Sequence, residues 1–438
     1  MQRNLAKQVP YFFIFLSIIL FLSTHSPNVE YDIDPSYILF GASRPPLYPF
    51  FIWLFRWAGQ YQFTTIMWVQ GLFLFLTLLY ARSWLIKKLN LSDFAIFLVC
   101  LIVLFTISLR FQILFIQSEG LAFPLFILTF FTFIDCFYHF NLIKIVYLSL
   151  LVSLLILTRL QFSYFYIIFF LLPVWYRWLK IPTKQVLLSA IILFGSASFT
   201  TLIDHSYHFV KHGFFGVAPY SGLMVLVQTL YLANNNADSY FSNPIEKKIV
   251  QQLINQRNHH GLNQDASLVG QLKPSYLNHA YQFYYRNYLA IQDIIDDVLQ
   301  TSVENTAGKK TNYQANIISF NIDKILILNE PKKNFVFLLW KFIQCMGGIP
   351  LFLFFSILLL TLPFKMAKSF TYKFDISEIF VTMITIITFL NAAMIAPFNP
   401  DLPVYFCYSQ FMFYCLAALL VSRVLWNSRE EYVKNSFD

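Results

Sequence analysis

The stretch EYDIDPSYILFGASRPPLYPFF, residues 30 to 51, gathers two carboxylates (Asp32 and Asp34), a guanidinium (Arg44) and a stiff Pro45-Pro46 step. On either side the chain is apolar, with a short run at residues 11 to 22 and one at 64 to 80 near the length a bilayer demands at about 1.5 Å of rise per residue. A length of 438 residues would imply about three soluble domains. The composition overrules that prior: 58% of residues are hydrophobic, 51 are Phe and only 12% are charged. Such a chain reads as a polytopic membrane protein, all-α, in which the 30 to 51 stretch is a polar loop between spans.

The net charge of +9 raises nucleic acid as a partner, but its distribution argues otherwise. Arg3, Lys7, Arg82, Lys87, Lys88, Lys144, Arg177, Lys180, Lys184, Lys365, Lys368, Lys373, Arg423, Arg429 and Lys434 all fall in turns on one side of the expected topology. This is the positive-inside pattern, so no nucleic-acid partner is expected and membrane lipids are. The five cysteines (Cys100, Cys136, Cys345, Cys407 and Cys415) lie in apolar segments, which excludes a disulfide framework or a CxxC metal site.

In chain order, residues 11 to 22 behind Arg3 and Lys7 fit a retained first helix better than a signal peptide, because no small-x-small cleavage site follows. Residues 47 to 57 are too short to span and rich in Trp and Phe, as in a helix lying in the interface. Further apolar runs at 64 to 80, 94 to 109, 120 to 138, 143 to 158, 160 to 176 and 185 to 203 complete a seven-helix module over residues 1 to 203. From Asp204 to Asn334 hydropathy falls and acids and bases nearly balance, predicting an extracytoplasmic helical insert. Within it, Asn243-Pro244 forms an N-cap with proline at the first helical position, followed by a stripe of Ile245, Ile249, Leu253 and Ile254. Pro274 opens a longer helix, and residues 317 to 328 form another. Spans at 335 to 362, 376 to 395 and 404 to 425 make a three-helix C-terminal module over residues 335 to 438. The expected total is about ten transmembrane helices with both ends inside. The insert carries no Asn-x-Ser/Thr sequon, which favours a bacterial cytoplasmic (inner) membrane with the site facing outward.

Outside the insert, outward-facing charge is confined to Glu30, Asp32, Asp34, Arg44, Arg56, Arg110, Glu119, Arg159 and Asp401. An ionised side chain at the bilayer centre costs on the order of 3 kcal/mol, so a set at helix mouths points to a shared polar cavity rather than separate snorkelling side chains. Four of its elements carry a resemblance: Tyr31-Asp32-Ile33-Asp34, Arg44-Pro45-Pro46-Leu47-Tyr48, Gln117-Ser118-Glu119 and Thr158-Arg159. On these the chain resembles the GT-C superfamily of membrane glycosyltransferases, which includes protein O-mannosyltransferases and aminoarabinose transferases. The match covers the first seven helices, and departs from those subfamilies in its Asp-x-Asp spacing and its short interval from Asp34 to Arg44.

The resemblance implies a polyprenyl-phosphate sugar donor, a glycan, lipid or protein acceptor, and catalysis without a required cofactor, although a divalent cation is possible. Asp34 or Asp32 would act as general base, a role worth roughly 10²- to 10⁴-fold. Glu119 would orient sugar or acceptor, and Arg44, Arg159 and Arg110 would bind the donor phosphate, whose oxygens match the planar guanidinium fork. The competing classes are a transporter and a lipid-linked glycan flippase or polymerase.

Two further constellations read as structure. Asp204-His205-x-x-His208-x-x-x-His212 has helical spacing that suits a metal, but histidines among Tyr and Phe at a membrane surface more often sit at headgroup level. Asp293-x-x-Asp296-Asp297 lies opposite Ile291, Ile294, Ile295, Val298 and Leu299, as the solvated face of an amphipathic helix. His259-His260 and Lys309-Lys310 read as loop surface.

Overall fold

The computed structural model describes residues 9–27, 35–106, 116–307, 311–369, 375–400 and 403–435. Every regular element among them is helical: α1 (Val9–Thr24), α2 (Pro35–Ile38), α3 (Leu47–Leu54), α4 (Gln62–Leu89), α5 (Asp93–Val103), α6 (Glu119–Tyr138), α7 (Leu142–Thr158), α8 (Phe165–Trp178), α9 (Thr183–His212), α10 (Ser221–Leu232), α11 (Pro244–His259), α12 (Pro274–Ala307), α13 (Thr311–Asn329), α14 (Pro331–Cys345), α15 (Ile349–Ser369), α16 (Ile376–Ile395) and α17 (Pro403–Asn435). Five of them are long and apolar enough to cross a membrane, six if α14 and α15 count as one broken span. This agrees with an integral membrane protein. The expected runs at 143 to 158 and 160 to 176 appear as the shorter helices α7 and α8, because the chain extends at Arg159 and then tightens into a 3₁₀ turn, Leu160–Tyr164.

One expectation is corrected outright. Residues 335 to 362 are not one straight helix: α14 and α15 meet at 87°. The cause is local. Gly347 and Gly348 hold φ of 90° and 87°, a left-handed conformation that costs glycine nothing and other residues dearly.

The chain folds as two compact units, one of Met1–Thr200, Phe355–Thr388 and Pro403–Asp438, the other of Thr201–Phe354 and Phe389–Leu402. The first is centred on α6, where almost every side chain from Glu119 to Phe137 is buried. Its phenylalanines interlock with neighbours: Phe126 packs on Phe162, Phe165 and Tyr408, and Phe131 on Trp84 and Phe411. Two polar clamps tie helix ends in this unit. Asp93 accepts from the Nε and a terminal nitrogen of Arg82 at 2.8 Å each and from the Tyr11 hydroxyl at 2.8 Å. Asp135 accepts from Trp84 Nε1 at 2.9 Å and pairs with Lys144.

The second unit is a helical bundle around α10 and α12. The Asn243 side chain caps α11 by accepting from the Ile245 backbone N–H at 3.0 Å, with Pro244 at the first position. Ile249, Leu253 and Ile254 point into the core, whereas Ile245 in the first turn is exposed. Helices α10 and α13 pack closely enough that a Cβ on Gly222 would come within 2.7 Å of the Asn316 carbonyl oxygen. At the end of α10, fully buried Arg257 donates to the carbonyls of Leu230 and Ala233 at 2.6 Å each and to the side chains of Asn235 and Asn258 at 2.8 Å.

Candidate functional site

The helix ends in the first unit decide where its polar groups go. Glu119 is the first residue of α6 and Arg159 is the residue that ends α7. An acid at a helix N-terminus and a base at a C-terminus each complement the macrodipole. Because the two helices are packed neighbours, the two ends meet and Glu119 and Arg159 form an ion pair, with their side chains 6% and 12% exposed. A buried pair of this kind is held by its hydrogen bonds as much as by Coulomb attraction.

The pair is the middle of a longer chain of contacts. Ser118 donates its hydroxyl to Glu119 Oε2 at 3.3 Å, and the Tyr37 hydroxyl stands 2.9 Å from Ser118 Oγ. The Arg44 guanidinium lies over the Tyr37 ring, 4.4 Å from its centroid, while Arg44 Nε donates to Ser36 Oγ at 2.9 Å. On the other side, the Arg159 guanidinium sits 4.9 Å from the ring centre of Tyr405. Burial raises the Tyr37 phenol above its ordinary range, so it is a neutral hydroxyl at pH 7. Three residues expected from sequence, Arg44, Glu119 and Arg159, are thus brought together. Asp32, Asp34 and Arg110 lie outside the described residues.

The loop that delivers Arg44 is set by sequence. The Gly41 N–H donates to the Ser36 carbonyl at 2.6 Å, and a Cβ on Gly41 would lie 2.6 Å from Ser36 Cβ, so only glycine fits this turn. Pro45 and Pro46 then stiffen the approach to α3. Beneath it, Tyr37, Tyr48, Ile52, Ile66 and Ile116 form a small core. Tyr48 accepts from Gln70 Nε2 at 2.9 Å and meets Tyr37 edge-to-face at 5.0 Å. Gln70 lies against Gly120, where a Cβ would come within 2.5 Å of its amide carbon. On the far side of α3, Phe50, Trp53 and Leu54 are exposed, as is Trp57 in the 3₁₀ turn that follows, which suits an interfacial segment. Arg56 is exposed and stands apart from the chain of contacts.

Sequence reasoning did not single out Tyr37, Gln70 or Tyr405. A Tyr or Gln in a chain this aromatic carries no signal, and Tyr405 is remote in sequence from Arg159, whose guanidinium faces its ring.

The other constellations fall in the second unit. His208 is fully buried with its ring stacked on Phe214 at 5.1 Å, and its Nε2 stands 3.7 Å from Asp204 Oδ1. Packing against Phe214, and not headgroup contact, therefore holds this histidine. Among the described residues no group of three or more His, Cys, Asp or Glu side chains could hold a metal ion. Asp293 and Asp297 are exposed, and Ile291, Ile295, Val298 and Leu299 are buried, the arrangement of a solvated helix face. His259 and His260 are exposed, and Lys309 and Lys310 lie outside the described residues.

A cleft of about 340 Å³ in the same unit is lined by Asn234, Ser267, Leu272, Glu330, Lys332 and Lys333. Two of its three charges engage each other: Glu330 accepts from the Asn234 N–H at 3.1 Å and stands 3.6 Å from Lys333. Comparison with protein-family models, with characterised proteins and with solved structures returns no match for this chain.

Proposed function

We propose that the chain is a membrane glycosyltransferase of the GT-C type, with about ten crossings, that moves a sugar from a polyprenyl-phosphate donor to a glycan, lipid or protein acceptor outside the cytoplasm. The observation that carries this reading is the continuous run Arg44–Tyr37–Ser118–Glu119–Arg159–Tyr405, which joins two guanidiniums and a carboxylate beneath the first loop.

In this reading the acceptor hydroxyl attacks the anomeric carbon from the side opposite the phosphate, the C1–O bond to phosphate breaks and the configuration inverts. Asp34, or its neighbour Asp32, takes the acceptor's proton. Arg44 and Arg159 hold the phosphate oxygens and stabilise the charge that develops as the lipid phosphate departs. Arg159 is held by Glu119 at rest, so an arriving phosphate competes with that carboxylate and frees it to bind a sugar hydroxyl. No step requires a redox group. A divalent cation, if the reaction uses one, would be held by the carboxylates of Asp32 or Asp34 and would help neutralise charge on the departing phosphate.

The test is transfer of radiolabelled sugar from polyprenyl-phosphate donors by the protein reconstituted in liposomes. Asp34→Asn and Asp32→Asn, each at matched expression, are expected to abolish transfer in at least one case. Full turnover in both variants would overturn the assignment of the base, and no transfer with any donor by the native chain would overturn the reading itself.

A further inference from the structure

Helix α14 is built the wrong way round for a helix in water. Its inner face carries Asn334 and Lys341, which are buried along with Phe337 and Trp340. Lys341, fully buried, donates to Gln228 Oε1 at 3.0 Å and to the Tyr284 hydroxyl at 3.3 Å. The outer face carries apolar side chains instead: Phe335 is 65% exposed and Leu339 is 45% exposed, with half-buried Leu338 between them. A water-facing helix turns polar groups outward. A lipid-facing one does the reverse.

The elbow that follows says which way this face looks. After Gly347 and Gly348 the chain turns 87° into α15, an apolar helix whose Leu353, Ile357 and Leu360 are exposed in the manner of a span. The corner is filled by Phe342, which packs edge-to-face on Phe352 of α15 at 6.3 Å and at a tilt on Phe389 at 5.9 Å. Phe342 therefore marks the inner side of the bend, the side on which α15 descends. Phe335 and Leu339, seven and three residues earlier, share that helical face. A helix perpendicular to a span, with its apolar face on the side toward which the span runs, lies along the membrane surface.

We propose that the face of α14 bearing Phe335, Leu338 and Leu339 rests on the acyl-chain boundary of the leaflet on the insert's side, and anchors the second unit to bilayer lipid. Exposed Lys332, at the start of the helix, reaches headgroup phosphates with its long stem. The proposal depends on the chain being a membrane protein and is independent of glycosyl transfer.

The test uses nitroxide labels at Phe335→Cys and Leu339→Cys in the full chain, reconstituted in phosphatidylcholine and phosphatidylglycerol vesicles. The native cysteines are all buried, so labelling is confined to the introduced site. Gln251→Cys, at an exposed polar position of α11, is the aqueous reference. Both α14 labels are expected to collide with oxygen several-fold more, and with a water-soluble nickel complex several-fold less, than the reference does. Nickel accessibility equal to that at Gln251 would overturn the proposal, as would exclusion of both reagents, which would mean that protein covers the face. Leu338→Cys replaces either variant that fails to give monodisperse protein.

Discussion

Glu119 opens α6 and Arg159 closes α7, and the two side chains meet as a buried ion pair where the helix ends come together. Removing either partner strands the other in a low-dielectric environment, which costs about 3 kcal/mol or more. Glu119→Gln and Arg159→Gln are each expected to lower stability by that order in thermal unfolding of the protein in nanodiscs. The double variant should cost clearly less than the sum of the two. Strict additivity would mean that the groups do not interact.

Gly120 and Gln70 make a second coupled pair, this time steric. A Cβ on Gly120 would lie 2.5 Å from the Gln70 amide carbon and would drive it from its hydrogen bond to Tyr48. Gly120→Ala is expected to cost about 1–3 kcal/mol, as overpacking does. Gln70→Ala alone removes one hydrogen bond, worth about 1 kcal/mol. In the Gln70→Ala background the alanine at position 120 should cost almost nothing, which differential unfolding measurements would show.

Arg44 is held over Tyr37 with its Nε on Ser36. Lysine has neither the planar fork nor the same stacking, so Arg44→Lys keeps the charge and loses the geometry. In the transfer reaction proposed above, Arg44→Lys should raise KM for the lipid donor with a smaller effect on kcat, and Arg44→Gln should lower both. Steady-state kinetics with a fixed acceptor distinguish these outcomes.

Asp323 on α13 accepts from the Thr229 hydroxyl at 2.6 Å, while its second oxygen has no hydrogen-bond partner among the described residues. Burial pushes its carboxyl well above the ordinary value of 3.8. A folded-state value above the unfolded one means that the stabilising contribution is complete below about pH 3.8 and is lost as pH rises toward the folded value. At neutral pH the native chain therefore carries a penalty that Asp323→Asn lacks. Unfolding midpoints of the native protein should rise relative to Asp323→Asn as pH is lowered from 7 toward 5, and parallel curves would refute this.

Arg257 is fully buried and ends α10 by donating to two backbone carbonyls and two asparagine side chains. Burial lowers its guanidinium to about 10, which leaves it charged at pH 7. Lysine cannot reach four acceptors in a fixed fork, so Arg257→Lys is expected to cost about 2 kcal/mol or more. Amide exchange should accelerate first in the last turn of α10.

The sequence by itself determined the membrane class, most helix positions and the chemical types gathered near the first loop, because hydropathy and charge act locally and leave a periodic trace. Asn243-Pro244, Pro274 and the apolar stripe through Ile291 and Leu299 were legible for the same reason: caps and amphipathic spacing are written within one turn or two. Arg44, Glu119 and Arg159 could be named as candidates but not joined. Their link runs through Tyr37, Ser118 and Tyr405, and through helix ends that meet only when α6 packs on α7. The break at Gly347-Gly348 was hidden as well, since two glycines in an apolar run fix no angle until Phe342, Phe352 and Phe389 fill the corner. Only tertiary packing decided that α14 turns Lys341 inward and Phe335 out, because which face of a helix is buried depends on what lies beside it.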